Sequence, residues 1–293
     1  MNYGLWWAVG CRSVLDERLY PDGSWWSKFD RAQCHLENLQ GLVAPYTAGR
    51  KHPVTSQLIP DSEPKTWEYR VWFEGKVDPI WSVVAGDFLF NTRAALDHMI
   101  IALNPPEMKD RLIYFPIYGE DPWRRDPRTR CYVQRDPLDR HNFTEAVKRL
   151  HPTARAYIKG LQPYAASAES GNDVSDHVLA ILKRLNNIDK HRRLLATRSG
   201  CNGARIRYPL PSGEVFEGFY EFPPGIASAD GAVILELPFE VDVEFVGSLT
   251  VGFRWKDPTT HELVPPVREL AKFTIIRDTM NKHLLALEPY VLS

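Results

Sequence analysis

Between residues 26 and 47 apolar side chains recur at three- and four-residue steps: Phe29, Ala32, Leu36, Leu39 and Val43. That period predicts an amphipathic helix, with Ser27 as its N-cap and Pro45 and Gly49 closing it. The period then drops to two. In "KTWEYRVWFEG", Trp67, Tyr69, Val71 and Phe73 alternate with Glu68, Arg70 and Trp72, which predicts a strand paired with the preceding "PVTSQLI". Pro79 opens a helix of about two dozen residues that stops at Asn104, Pro105 and Pro106. Residues 107–142, rich in Pro, Asp and Arg, predict an irregular excursion. Two shorter helices follow from Phe143 to Leu161, broken at His151, Pro152 and Thr153. "SAESGND" predicts a loop, and Val174 to Ala196 another helix.

The pattern changes again after residue 200. "ARIRYPL", "EVFEGFYEF", "AVILELP" and "VDVEFVGSLTVGFRW" are short β-rich runs separated by turn residues, which predicts an antiparallel sheet of roughly four or five strands. A last helix begins in the turn holding Pro265 or Pro266 and buries Val267, Leu270, Phe273, Ile276 and the stretch Leu284 to Leu287. The expected fold class is therefore α+β: a helical bundle of about four to five helices with an antiparallel sheet inserted before the C-terminal helix. The expected divisions are an aromatic arm at 1–24, the bundle and its small hairpin at 25–199, the sheet at 200–260, and a helix packing back on the bundle at 261–293.

Two of these helices break their own pattern. In "FNTRAALDHMIIAL", Asn91, Arg93, Asp97 and His98 interrupt an otherwise apolar helix, and "LKRLNNIDKHRRLL" does the same near residue 190. On a helical wheel Asn91 and His98 nearly coincide, and Arg93 and Asp97 are placed to pair. On the second helix Asn187 and His191 align, with Asn186, Asp189 and Lys190 on the opposite side and Arg192 and Arg193 within reach of Asp189. Polar groups in apolar surroundings must find partners, because leaving one unpaired costs about 1–3 kcal/mol. The expectation is one shared network of Asn91, Arg93, Asp97, His98, Asn187, Asp189, Lys190 and His191. It either locks the helices together or performs chemistry.

Bulk properties narrow the chemistry. A net charge of −1 leaves no global field for nucleic acid or membrane. Cys11, Cys34, Cys131 and Cys201 lie far apart without metal-ligand spacing, which predicts reduced thiols and a cytoplasmic protein. The start of the chain lacks a basic n-region, and no run approaches the roughly 18 apolar residues of a membrane span. There is no phosphate-binding loop, dinucleotide fingerprint or nucleophile elbow, so no nucleotide or other cofactor is expected. His35, His98 and His191 on three helices sketch a metal site, but without H-x-x-x-H or E-x-x-H spacing no metal is expected. The arginines of "PWRRDPRTRCYVQRDPLDRH", Arg124 and Arg125 among them, lie among aromatics in the texture of an RNA platform. Interleaved Asp126, Asp136 and Asp139 give the same stretch the character of a salt-bridged loop. The Trp pairs at 6–7 and 25–26 suit packing onto the body or a homodimer contact.

Arg93 and His98 form R-x4-H, and Arg184 and His191 form R-x6-H. A cation beside a histidine suits metal-free RNA cleavage: the imidazole activates the ribose 2′-hydroxyl or protonates the leaving oxygen, and the guanidinium stabilises the charged phosphorane. The segments "KFDRAQCHLENL", "GDFLFNTRAALDH", "YFPIY", "GLQPY" and "LNNIDKHRRLL" together resemble a family of uncharacterised bacterial proteins, common among actinobacteria. Its members carry G-D-x-x-x-N-x-R-x-A-L-D-H and L-x-x-I-D-K-H-R. The resemblance spans roughly Trp26 to Thr197. More distantly the chain is similar to the HEPN superfamily of helical bundles, many of them ribonucleases of toxin or phage-defence systems. That likeness implies a metal-independent endoribonuclease, homodimeric, with Arg93 and His98, or alternatively Arg184 and His191, as the catalytic pair. The expected site as a whole has Arg93, Asp97, His98 and His191 in catalysis and Asn91, Asn187, Asp189, Lys190, Arg192, Arg124 and Arg125 on the RNA. In that superfamily a polar residue usually follows the arginine, whereas here Ala94 and Leu185 do. The alternative expectation is a non-catalytic structural or interaction module whose polar motifs lock the bundle.

Overall fold

The computed structural model describes residues 23–47, 54–72, 77–108, 113–122, 128, 137–191, 195–199, 203–210, 212–221, 231–246, 250–254 and 268–291. The helices are α1 (Ser24–Thr47), α2 (Ile80–Leu103), α3 (Pro137–Val147), α4 (Pro152–Gly160), α5 (Pro163–Ser170), α6 (Val178–His191) and α7 (Leu270–Leu287). The strands are β1 (Val54–Leu58), β2 (Trp67–Val71), β3 (Leu195–Ser199), β4 (Gly203–Pro209), β5 (Val215–Glu221), β6 (Ala232–Leu237), β7 (Asp242–Val246), β8 (Thr250–Arg254) and β9 (Arg268–Glu269). The chain is thus mixed α+β. Among the described residues no helix is long and apolar enough to cross a membrane.

Several boundaries differ from the sequence expectation, each for a local reason. Helix α1 starts at Ser24, before Ser27, and its first turn is closed by Trp26 and Ser27 N–H groups donating to the Gly23 carbonyl. Helix α3 starts at Pro137 and α5 at Pro163, both with proline in the first turn, where its missing N–H costs nothing. Gly171, with φ of 72°, closes α5 in the left-handed conformation that glycine adopts freely. The stretch expected to carry α6 on to Ala196 instead yields β3, because Leu195 to Ser199 find ladder partners on β8. Helix α7 begins at Leu270, the residues just before it pairing with β8 as β9. Cys34 is disulfide-bonded, which corrects the expectation of reduced thiols at that position.

The chain forms two compact units. One comprises Asn38–Val84 and Arg192–Lys272. It holds three antiparallel three-stranded sheets, in the orders β1-β2-β6, β3-β8-β9 and β5-β4-β7. The β1–β2 hairpin, expected beside the bundle, shares a sheet with β6, Trp67 facing Leu237 and Val71 facing Ala232. Tyr69 is buried, and its hydroxyl donates to the Val241 carbonyl at 3.2 Å while accepting from the Val241 N–H at 2.6 Å.

The other unit comprises Met1–Glu37, Ala85–His191 and Phe273–Ser293. Its buried side chains follow the helical period: Phe29, Ala32 and Leu36 on α1; Phe88, Leu96, Met99 and Leu103 on α2; Leu179, Leu182 and Leu185 on α6. Phe273 of α7 stacks on Phe88 at 5.2 Å, and the Trp26 indole N–H donates to Glu288 at 2.9 Å. The expected stripe of α7 is present at Phe273, Ile276, Leu284 and Leu287, with Met280 and His283 added, while Leu285 is exposed.

His283 is buried and its Nδ1 lies 3.0 Å from the Tyr157 hydroxyl. Burial, then His177 and Lys282, pull its pKa from 6.5 down to about 4. The folded state therefore holds it neutral while the unfolded chain protonates it near 6.5. Its stabilising contribution is full above pH 6.5 and is lost as pH falls towards 4. Allowing for partial solvent screening, the loss is about 2 kcal/mol. Denaturant unfolding at pH 7.5 and 4.5 should show that loss in the wild type and a smaller one in His283→Phe; equal losses would remove His283 as the cause.

Candidate functional site

In this second unit α2, α3, α6 and the extended segment 113–118 enclose a cleft of about 420 Å³. Among the described residues the segment has no strand neighbour, and side chains satisfy its backbone. Arg93 and Asp97, one helical turn apart on α2, do so together. The Arg93 guanidinium donates to both Asp97 oxygens, at 2.8 and 3.2 Å, and to the Phe115 carbonyl at 2.7 Å. Asp97 Oδ1 in turn accepts the Phe115 N–H at 2.8 Å. One ion pair thus satisfies both the backbone N–H and the backbone carbonyl of a single residue, Phe115.

The rest of the segment is fastened from two other helices. Gln162, the residue before α5, is fully buried. Its Oε1 accepts the Tyr118 N–H at 3.0 Å, and its Nε2 donates to the Pro116 and Ile158 carbonyls, each at 3.0 Å. Lys183 of α6 donates to the Ile117 carbonyl at 2.9 Å and rides over the Tyr118 ring at 5.5 Å. The "YFPIY" and "GLQPY" segments and the arginine of "NTRAALDH" are therefore parts of one device.

Helix α6 supplies the opposite wall. Lys183, Asn186, Asn187 and Lys190 all line the cleft, and their spacing of three, four and seven residues puts them on one helical face. Asn186 is 3% exposed, and among the described residues no hydrogen bond reaches its amide. Asn187 and Lys190 are exposed, and the Lys190 ammonium lies 5.9 Å from the centre of the Phe90 ring. Tyr114, 61% exposed, and Glu145 of α3 stand among the other lining residues.

Of the expected network, the cleft gathers Arg93, Asp97, Asn187 and Lys190. Asn187 shares its face with Asn186 and Lys190, not with the side assigned from the wheel. Asn91, His98 and Asp189 are engaged elsewhere. Asn91 donates back to the Asp87 carbonyl of its own helix at 2.8 Å. His98 Nδ1 meets the Ser24 hydroxyl of α1 at 2.8 Å. Its pKa is lowered by burial and by Lys28, against a smaller opposing pull from Asp97. Asp189 packs on α2 where Gly86 leaves room: a Cβ there would meet its carboxylate oxygens at 2.5 and 2.6 Å. Burial and the neighbouring Asp87 hold the Asp189 carboxyl above the usual range. The side chain of His191 and the residues Arg192, Arg124 and Arg125 lie outside the described residues. Among the described residues no three His, Cys, Asp or Glu side chains gather as a metal site.

Gln162, Lys183 and Tyr114 were not singled out from the sequence. The signal for the α6 wall was present as Lys-x-x-Asn-Asn-x-x-Lys, a polar stripe at helical spacing between buried leucines. No protein-family model matches the chain, and no curated protein or solved structure does either.

Proposed function

We propose that this unit is a non-catalytic binding module. In this reading the R-x4-H helix and the L-x-x-I-D-K-H-R helix hold the segment 113–118 in place, and the cleft beside it receives a ligand. The observation that carries the reading is the commitment of Arg93. Its guanidinium donates through Nε and Nη2 to Asp97 and the Phe115 carbonyl, and His98, five residues on, is directed at Ser24. Stabilising a phosphorane requires a cation and an imidazole around one phosphate, and within one chain these two are engaged at separate places.

The ribonuclease reading remains the second, with one observation in its favour. Its lowered pKa keeps His98 neutral at physiological pH, the state a general base needs. A homodimer of the HEPN-like kind would bring His98 of one copy to a cation of another. The two readings separate on one experiment. Purified protein is incubated with total RNA in EDTA, beside a His98→Ala variant whose folding is checked by circular dichroism. The binding-module reading expects intact RNA from both. Cleavage by the wild type that vanishes in the folded variant would replace it with the nuclease.

A further inference from the structure

Three asparagines line the cleft: Asn142 of α3 and Asn186 and Asn187 of α6. Among the described residues none of their side-chain amides makes a hydrogen bond. Asn142 and Asn187 are exposed, where water serves them. Asn186 is only 3% exposed, beside the fully buried Leu182 and Leu185 of the same helix. A carboxamide carries two donors and an acceptor, and buried ones are nearly always paired. The polar atoms of Asn186 are not sealed off from solvent: they open onto the cleft. The chain keeps a polar group where leucine would serve the helix, and leaves its bonding capacity facing the cavity.

The segment 113–118 adds a flat apolar surface to the same cleft. Tyr114 is 61% exposed, and among the described residues its ring meets no other ring. Ile113 and Phe115 on either side are buried, so the clamp on Phe115 holds the tyrosine on the open side. An unpaired carboxamide and an unstacked aromatic ring together call for a planar ligand with a donor beside an acceptor at its edge. Nucleobases have that form. The major-groove edge of guanine, N7 and O6, offers two acceptors and suits arginine or lysine. Adenine offers N7 beside an N6–H donor, the bidentate complement of asparagine. It repeats the pattern at N1 beside the second N6–H, so two carboxamides can engage it at once. An aromatic side chain completes such a site by stacking on the base. The volume, about 420 Å³, lies in the range of small-molecule sites.

We propose that the cleft binds an unpaired adenine base, stacked on Tyr114 and read by Asn186 at its N6–N7 edge. The exposed amides of Asn142 and Asn187 serve the N1 edge. Recognition is by carboxamides and depends on no charge in the cleft. The proposal rests on the binding-module reading. Adenosine has no phosphodiester to cut, so its titration succeeds or fails independently of the RNA cleavage assay.

Adenosine is titrated calorimetrically into the full chain. The expected result is saturable binding, indifferent to added salt, that weakens roughly tenfold or more in Asn186→Leu and in Tyr114→Ala. 7-Deazaadenosine, which lacks the N7 acceptor, should weaken by a similar factor, and inosine, which lacks the N6 donor, should not bind. Tyr114 is exposed, so its variant tests the contact without disturbing the fold. Asn186→Leu should melt at or above the wild-type temperature, because its amide has no partner among the described residues. The oligonucleotide r(AAAA) in EDTA separates two sources of the base: much tighter binding than adenosine assigns a single-stranded RNA, and equal binding a free nucleoside. No binding of adenosine at millimolar concentration would overturn the proposal. So would adenosine and inosine binding alike, or ribose competing fully, which would point to a sugar. A large fall in melting temperature for Asn186→Leu would show the amide to be structural and remove the argument from it.

Discussion

Arg93→Ala is expected to lower the unfolding free energy by about 3 kcal/mol, the lower end of the cost of breaking a buried pair. Arg93 and Asp97 side chains are 14% and 19% exposed, so water softens the loss without removing it. The deletion leaves the Phe115 carbonyl without its donor and the Asp97 carboxylate with only the Phe115 N–H. Asp97→Asn keeps an acceptor for that N–H and loses only the charge, and should cost about 1 kcal/mol. Equilibrium denaturation of both variants and of the pair forms a cycle in which the coupling should be 1 kcal/mol or more, roughly. Additive effects under about 0.5 kcal/mol each would mean the segment 113–118 is held by its apolar side chains alone, and the lock would fall with them.

The same residues show how far the sequence could be read. Periodicity located α1 and α2 and most of α7 because their buried positions, Phe29 to Val43 and Phe273 to Leu287, follow one face of a helix. It also found that Arg93 and Asp97 pair, since a four-residue step fixes that geometry whatever surrounds it. What it missed depends on partners distant in the chain. Nothing local in "LATRS" distinguishes a continued helix from a strand; β8, more than fifty residues later, decides it. The wheel put Asn186 and Lys190 opposite Asn187, but a face some 100° wide admits all three once the cleft beside them is open. The resemblance motifs marked "YFPIY" and "GLQPY" without a physical reason. The reason is that an extended segment with no strand neighbour among the described residues takes donors and acceptors from side chains.

Gln162 makes the sharpest use of that need, and Gln162→Leu is expected to cost about 4 kcal/mol. The substitution keeps the volume and the helix entry but removes three hydrogen bonds at a site with no exposure. The Pro116 carbonyl then lies unpaired in the interior and carries the full penalty of desolvation without a partner, and the half-buried Tyr118 N–H loses its acceptor. Leucine cannot recover this by burial, since glutamine's methylenes are already buried. Gln162→Glu gives a control of opposite kind: it keeps the acceptor for Tyr118 and loses the donor to Pro116 and Ile158. It should fall nearly as far, because it also buries a charge. Hydrogen exchange at the Tyr118 amide locates the effect. In the wild type that N–H should exchange as slowly as the helix core, and in Gln162→Leu it should exchange faster by an amount matching the loss in global stability or more. A variant that loses little stability and keeps Tyr118 protected would show that water replaces the glutamine, and that the segment has a second means of support.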